Sequence, residues 1–329
     1  MIVDLHSDLL IDIADRRVAG ERDVFRRLHL PALAAAGVRV QLLAVYCPTQ
    51  HVTDLALRHA LRLIDAAYRD ADESDGALAI VTSTRELNGA LDGGAIAGIL
   101  TLEGAEPLGR EPELVRLFAR LGVRSVGLTW NRANDFADGA TEDRGAGITP
   151  AGRRLLDEMA ASGVALDLSH LTERGAADAL EHAPGHVFAS HSNAAAVHPT
   201  LRNVSDDVLR GIAGRDGVCG LNLLPVLLGP EPVGPQAAVH HDHLVAVGGR
   251  ALPAVGADFV AFLPHGPPEP HHLQPPEAPD VTLASAPEPP RETAYADVRA
   301  AVAASSGDAA ADALLAGNAL AFLRRALPV

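Results

Sequence analysis

Short β-branched or apolar runs alternate along the chain with longer segments rich in Ala, Leu and Arg, the rhythm of a parallel sheet covered by helices. Eight runs set the frame: residues 2–5, 38–45, 96–102, 124–129, 164–168, 186–189, 218–223 and 254–257. A ninth, residues 78–81, sits inside the long stretch between the second and third runs and is expected outside the barrel. The pattern predicts an α/β fold, a single (β/α)8 TIM barrel over residues 1–329. Helix signals fall between the runs. Thr149 and Pro150 supply an N-cap and a first-turn proline, Thr172 and Ser205 read as further caps, and Asp206 and Asp207 sit where the helix dipole favours acids. Residues 55–67 read as another helix. From 264 to 290 the chain carries ten of its 23 prolines, which predicts a long loop. Because it follows the eighth run directly, it is expected over the barrel mouth. Helical sequence then resumes and ends in residues 314–325, expected to pack outside the barrel.

The polar residues of interest fall at the C-terminal ends of the runs, the end of a (β/α)8 barrel where side chains converge on a common axis. His6 and Asp8 close the first run at i and i+2, on one face of an extended strand. Glu103 follows the third run, His170 the fifth, His191 the sixth and Asp258 the eighth. Singly each signal is weak: an isolated His-x-Asp is commonly structural, and His170 alone reads equally as a helix cap. Together they are informative, because burying several carboxylates beside imidazoles costs several kcal/mol unless a cation neutralises them. A carboxylate between two nitrogen-donor groups can bridge ions about 3.5–4 Å apart, so two metals are favoured over one. With N and O donors and no thiolate, Zn2+ is the default, and manganese, iron and cobalt remain open.

Composition narrows the class. At 48% hydrophobic and 21% charged residues, the chain can bury a large core, which excludes a mostly disordered protein. Its 27 basic and 42 acidic residues give a net charge of −15, and an aromatic content of 3% leaves few stacking platforms, so nucleic acid is not an expected partner. No apolar run approaches the roughly 20 residues that cross a bilayer, and Asp4 stands where a signal peptide carries basic charge. A soluble, cytoplasmic protein is expected, with a homodimer among the assemblies allowed. Cys47 and Cys219 lie far apart and form no metal-binding pair, which leaves His, Asp and Glu to hold any ion.

The chain resembles the membrane (renal) dipeptidase family of zinc metallopeptidases, within the amidohydrolase-like barrels. The resemblance is carried by DLHSDLL (4–10), QLLAVYCP (41–48), TLEGAEPLG (101–109), GVRSVGLTWNRANDFADG (122–139), GITPAGRRLLDEMAASGVALDLSH (147–170), FASHSNAAAVHPTLRNVSDDVLR (188–210) and GADF (256–259), with a faint tail match in AGNALAFLRR. It implies that His6 and Asp8 hold one zinc, His170 and His191 a second, and that Glu103 bridges them. It further implies that Arg202 grips the substrate's terminal carboxylate, that Tyr46 lies on the substrate side and that Asp258 handles the proton. The implied activity is hydrolysis of dipeptides with a free C-terminal carboxylate by a metal-bridging hydroxide. Two departures bear on substrate: Trp130 replaces a histidine that contacts substrate in the renal enzyme, and Val260 stands where the family usually has a second acid. They keep open a metal-dependent amidohydrolase acting on a non-peptide amide, lactam or lactone. A catalytically silent barrel is disfavoured by the complete ligand set.

Other readings compete at single positions. Arg202 could pair with Asp206 or Asp207 on the surface, and Trp130 could be plain core. His240, His241 and His243 precede the eighth run and are expected as solvated surface at the far end of the barrel. His271 and His272 are expected as ordinary loop residues.

Overall fold

The computed structural model describes residues 1–48, 55–230, 232–263 and 290–329. Runs that are apolar on both sides of the pleat form strands buried on both faces, as a parallel barrel requires. They are β1 (Ile2–Asp4), β2 (Val38–Tyr46), β3 (Leu78–Ile80), β4 (Ile96–Glu103), β5 (Val123–Gly127), β6 (Ala165–Asp167), β7 (Val187–Phe188), β8 (Cys219–Leu221) and β9 (Pro253–Val255). The order is β7-β6-β5-β4-β2-β1-β9-β8, every pair parallel. Ala189 closes the ring by bridging to Cys219, with Ala189 N donating to Val218 O (2.9 Å) and Gly220 N to Ala189 O (2.8 Å). β3 pairs only with β4, along the first half of an edge whose second half takes β5, so it stays off the ring as expected. Closure also needs two glycines. A Cβ on Gly220 or Gly256 would collide with the Ser190 carbonyl, so only glycine lets β8 and β9 approach the turn that carries His191.

The helices are α1 (Leu9–Val18), α2 (Leu30–Ala36), α3 (Ala56–Glu73), α4 (Thr84–Gly93), α5 (Val115–Arg120), α6 (Pro150–Ala161), α7 (Glu173–His182), α8 (Asp206–Ala213), α9 (Pro225–Leu228), α10 (Val233–Gly248), α11 (Arg291–Ser306), α12 (Asp308–Asp312) and α13 (Asn318–Ala326). Thr149, Thr172 and Ser205 cap α6, α7 and α8 by accepting from the N–H groups of Gly152, Gly175 and Val208. None of the helices of the described residues is long and apolar enough to cross a membrane.

Strand alternation divides the core into two layers. Leu43, Val45, Leu100, Leu102 and Leu166 face the helices, whereas Val3, Leu5, Val40, Leu42, Ala97, Ile99, Ala165, Phe188, Val218 and Ala254 fill the barrel. The expectation that the C-terminal helices lie outside holds for α11, which packs on α10 and α2. α13, also outside the ring of strands, covers one end of it. Ala319, Phe322 and Leu323 of that helix join the inner layer, with Phe322 5.0 Å from Phe188 between ring centroids. The physical reason is size: the strands contribute Ala97, Ala165 and Ala254 there, too small to fill the space themselves. Phe322→Ala is therefore expected to cost about 3–5 kcal/mol in denaturant unfolding; a loss under about 1 kcal/mol would mean that the helix does not plug this end. The proline-rich 264–290 segment, with His271 and His272, lies outside the described residues up to 289.

Candidate active site

Six polar residues leave the C-terminal ends of five strands and meet at one point. His6 Nε2 lies 3.8 Å from Asp8 Oδ2, 3.7 Å from Glu103 Oε2 and 3.6 Å from Asp258 Oδ1. Glu103 Oε1 lies 2.9 Å from His170 Nε2 and 3.5 Å from His191 Nε2. The ligand atoms of His6, Glu103 and His191 fall within 4.8 Å of one another, as do those of His6, Asp8 and Asp258. Two of the six bend the backbone into the left-handed region, His170 at φ 72° and Asp258 at φ 59°, a conformation that non-glycine residues hold only when their surroundings enforce it.

Neighbouring groups aim these side chains. Asn131 Oδ1 accepts from His170 Nδ1 at 2.7 Å, which turns Nε2 of that ring toward Glu103 and toward His191 Nε2, 2.8 Å away. Ser190 Oγ engages His191 Nδ1 at 2.6 Å. Asp167 Oδ1 accepts from the N–H groups of Ser169 (3.0 Å) and Ser190 (2.9 Å), and so clasps the two strand ends that carry these histidines. Asn222 Nδ2 donates to Asp258 Oδ2 at 2.9 Å.

The electrostatics describe carboxylates short of positive charge. Burial lifts Glu103 well above the usual carboxyl range and pushes Asp258 up to about 7; Asp8 adds to both shifts, and His6 and Arg202 oppose them. Burial works against charge on His6, yet Glu103, Asp8 and Asp258 together raise it to about 10. His191 is held well below the ordinary imidazole value by burial and by the positive charges of His6 and Arg202. The donor set fits a cation. Among the described residues His6 Nε2 and Asp8 Oδ1 are buried without a hydrogen-bond partner, and three carboxylates and three imidazoles crowd one buried point, where a cation would supply the missing partner.

The remaining residues divide. Arg202 is 4% exposed, and its Nη2 donates to the His191 carbonyl at 3.3 Å. The surface alternative fails, because Arg210 takes Asp207 (2.6 Å) and Asp206 (3.7 Å) instead. Trp130 stands 5.0 Å from Tyr46 and 5.8 Å from His170 between ring centroids, so it flanks the cluster. Val260 packs against Leu224, Val226 and Leu227. The reading of the later histidines is corrected: His240 and His241 are buried, and His240 braces the chain after His191, accepting from Ala194 N (3.2 Å) and bonding Leu228 O (2.8 Å). His243 is half-buried and pairs with Asp206 at 2.7 Å. All three sit mid-helix, and His240 and His241 fall on the face of α10 that also buries Ala237, Ala238 and Leu244.

Sequence reasoning missed Asn131, Asp167, Ser190 and Asn222. Asp167 and Asn222 lie within the apolar runs themselves, where a lone polar residue in a doubly buried strand was the available signal.

Comparison with known proteins agrees with this geometry. The sequence profile of Membrane dipeptidase (Peptidase family M19) matches residues 1–273. A dipeptidase of Claviceps purpurea is 29% identical over 266 residues, 76% of this chain and 62% of its own length. The chain thus spans under two thirds of that relative. An uncharacterized dipeptidase of Schizosaccharomyces pombe is 27% identical over 296 residues, 80% of this chain and 71% of its own. Among solved structures, a metallo peptidase from Rhodobacter sphaeroides, liganded with a phosphinate mimic of the dipeptide L-Ala-D-Ala, superposes with a TM-score of 0.81 at 25% identity over 99% of each chain. The metallo peptidase called dipeptidase AC gives 0.82 at 26% identity, covering 100% of this chain and 99% of its own. A profile match over residues 1–273 and a shared barrel lead to one conclusion: the chain belongs to the membrane dipeptidase family, peptidase family M19.

Proposed function

We propose that the protein is a metal-dependent dipeptidase that cleaves dipeptides bearing a free C-terminal carboxylate. The observation that carries this reading is Arg202, a buried guanidinium beside the carboxylate and histidine cluster that makes no ion pair among the described residues. His6 and Asp8 would hold one divalent ion, His170 and His191 a second, and Glu103 would touch both, with zinc as the expected metal. When bound, such ions supply a water acidified to near-neutral pKa and polarise the scissile carbonyl.

The chain's own groups do the rest. Arg202 fixes the substrate by its terminal carboxylate in a charge-assisted contact, which limits the reaction to short substrates. Asp258 Oδ2 is engaged by Asn222, so Oδ1, the oxygen facing His6, takes the proton and returns it to the leaving amine. Tyr46 and Trp130 form an apolar wall beside His170. The L-Ala-D-Ala mimic held by the Rhodobacter relative supports a small dipeptide and puts D-residues on the test panel. The apolar Trp130 and Val260 favour the second reading, a non-peptide amide, lactam or lactone.

Metal-loaded protein assayed against dipeptides, their C-terminal amides, lactams and lactones separates the two. Rapid cleavage of free dipeptides is expected; turnover of lactams or lactones alone would replace the dipeptidase reading. Glu103→Gln is expected to lower bound metal from about two ions per chain toward one. Elemental analysis showing undiminished metal would remove the bridging role.

A further inference from the structure

Asp4 ends β1 and is 1% exposed, two residues before His6. Its carboxylate joins three parts of the chain. Oδ1 accepts from the backbone N–H of His6 (3.2 Å) and from that of Ala257 (2.9 Å), the residue before Asp258. Oδ2 accepts from the hydroxyl of Tyr295 at 2.6 Å. Asp4 therefore clasps the strand end that carries His6 to the strand end that carries Asp258, as Asp167 does for His170 and His191. Asp167, however, has no tyrosine on it among the described residues, whereas Asp4 is held by one from α11.

Tyr295 is 2% exposed and lies beyond residues 1–273, the part matched by the family profile. Its ring stands edge-on to Phe259 at 5.7 Å, and Arg291, one turn earlier on the same helix, lies over both Phe259 (5.4 Å) and Phe262 (5.1 Å). The helix is thus stitched to the residue after Asp258 as well as to Asp4. Its anchorage does not need the hydroxyl: Val298 and Val302 are fully buried, and α11 packs along α10 and α2. Phenylalanine would serve that packing. Without the hydroxyl, Asp4 Oδ2 would be a buried oxygen with no donor among the described residues, and the carboxyl group would turn to find one, releasing the clasp. Burial and the Asp4 charge push the phenol upward, so it remains a donor.

We infer that Tyr295, acting through Asp4, is a positioning residue that sets His6 for the divalent ion it would hold and Asp258 beside that ion. The inference rests on the metal-dependent reading above. Full-length protein loaded with cobalt, a spectroscopic stand-in for zinc, tests it through the visible absorption of the bound ion and through metal affinity against a competing chelator. Tyr295→Phe is expected to weaken affinity about 10-fold or more and to change the cobalt spectrum. Ser83→Ala, which removes the cap of α4, is expected to lower the melting temperature and leave both readouts unchanged. Asp4→Ala removes the acceptor for the two backbone N–H groups and should reproduce the loss, and the double variant should add little, because the two residues act as a unit. Wild-type affinity and spectrum in Tyr295→Phe, or fully additive losses in the double variant, would overturn the inference alone. A wild-type protein that takes up no cobalt would overturn the metal-dependent reading with it.

Discussion

Asp258→Asn is expected to lower kcat/KM by about 10²–10⁴-fold on free dipeptides and on their C-terminal amides alike, because it removes the group that carries the proton in both reactions. The substitution is close to isosteric. Asparagine tolerates the left-handed backbone seen here at φ 59° as readily as aspartate does, and its amide oxygen can still accept from Asn222. Metal content should stay near wild type, since His6, Asp8, Glu103, His170 and His191 keep their donors. The measurement is steady-state kinetics on both substrate series, paired with elemental analysis. Activity within a few-fold of wild type would move proton handling to another residue.

Arg202→Ala should behave differently, and the difference is the sharper test of function. Arg202 is fully enclosed: burial pulls it down to about 10, while Asp258, Glu103 and Asp167 act in the opposite direction. A buried guanidinium with no ion pair among the described residues gains most from an incoming carboxylate, and the dipeptide's C-terminus is the matching group. Losing that contact should cost on the order of 2–4 kcal/mol, or roughly 30- to 1,000-fold in kcat/KM on free dipeptides. C-terminal amides, which lack the charge, should be cleaved nearly as well as by wild type. Equal rates on free dipeptides would make the non-peptide reading the better one.

Much of this was legible in the sequence. Helix caps at Thr149, Thr172 and Ser205, the eight runs, and the placement of His6, Asp8, Glu103, His170, His191 and Asp258 at their ends are all local facts. Capping, strand periodicity and the shared direction of parallel strands act over a few residues, so order along the chain suffices to place those groups on one face. The positions of Arg202 and Trp130 were open from the residues alone, because an arginine near acids and a lone tryptophan each have a surface or core alternative of similar energy.

What only the tertiary structure decided is which side chains hold the site in place. Tyr295 reaches Asp4 across 291 positions, Asn222 reaches Asp258 across 36, and Asn131 reaches His170 across 39. The local pattern marks Asn222 only as a lone polar residue in a buried run and does not name its partner, and it does not mark Tyr295 on its helix or Asn131 in its loop at all. The final helix shows the same limit: its apolar stripe specified that it must cover apolar surface, and the small residues inside the barrel, brought together only by closure of the ring, determined that it would plug the end rather than lie on the flank.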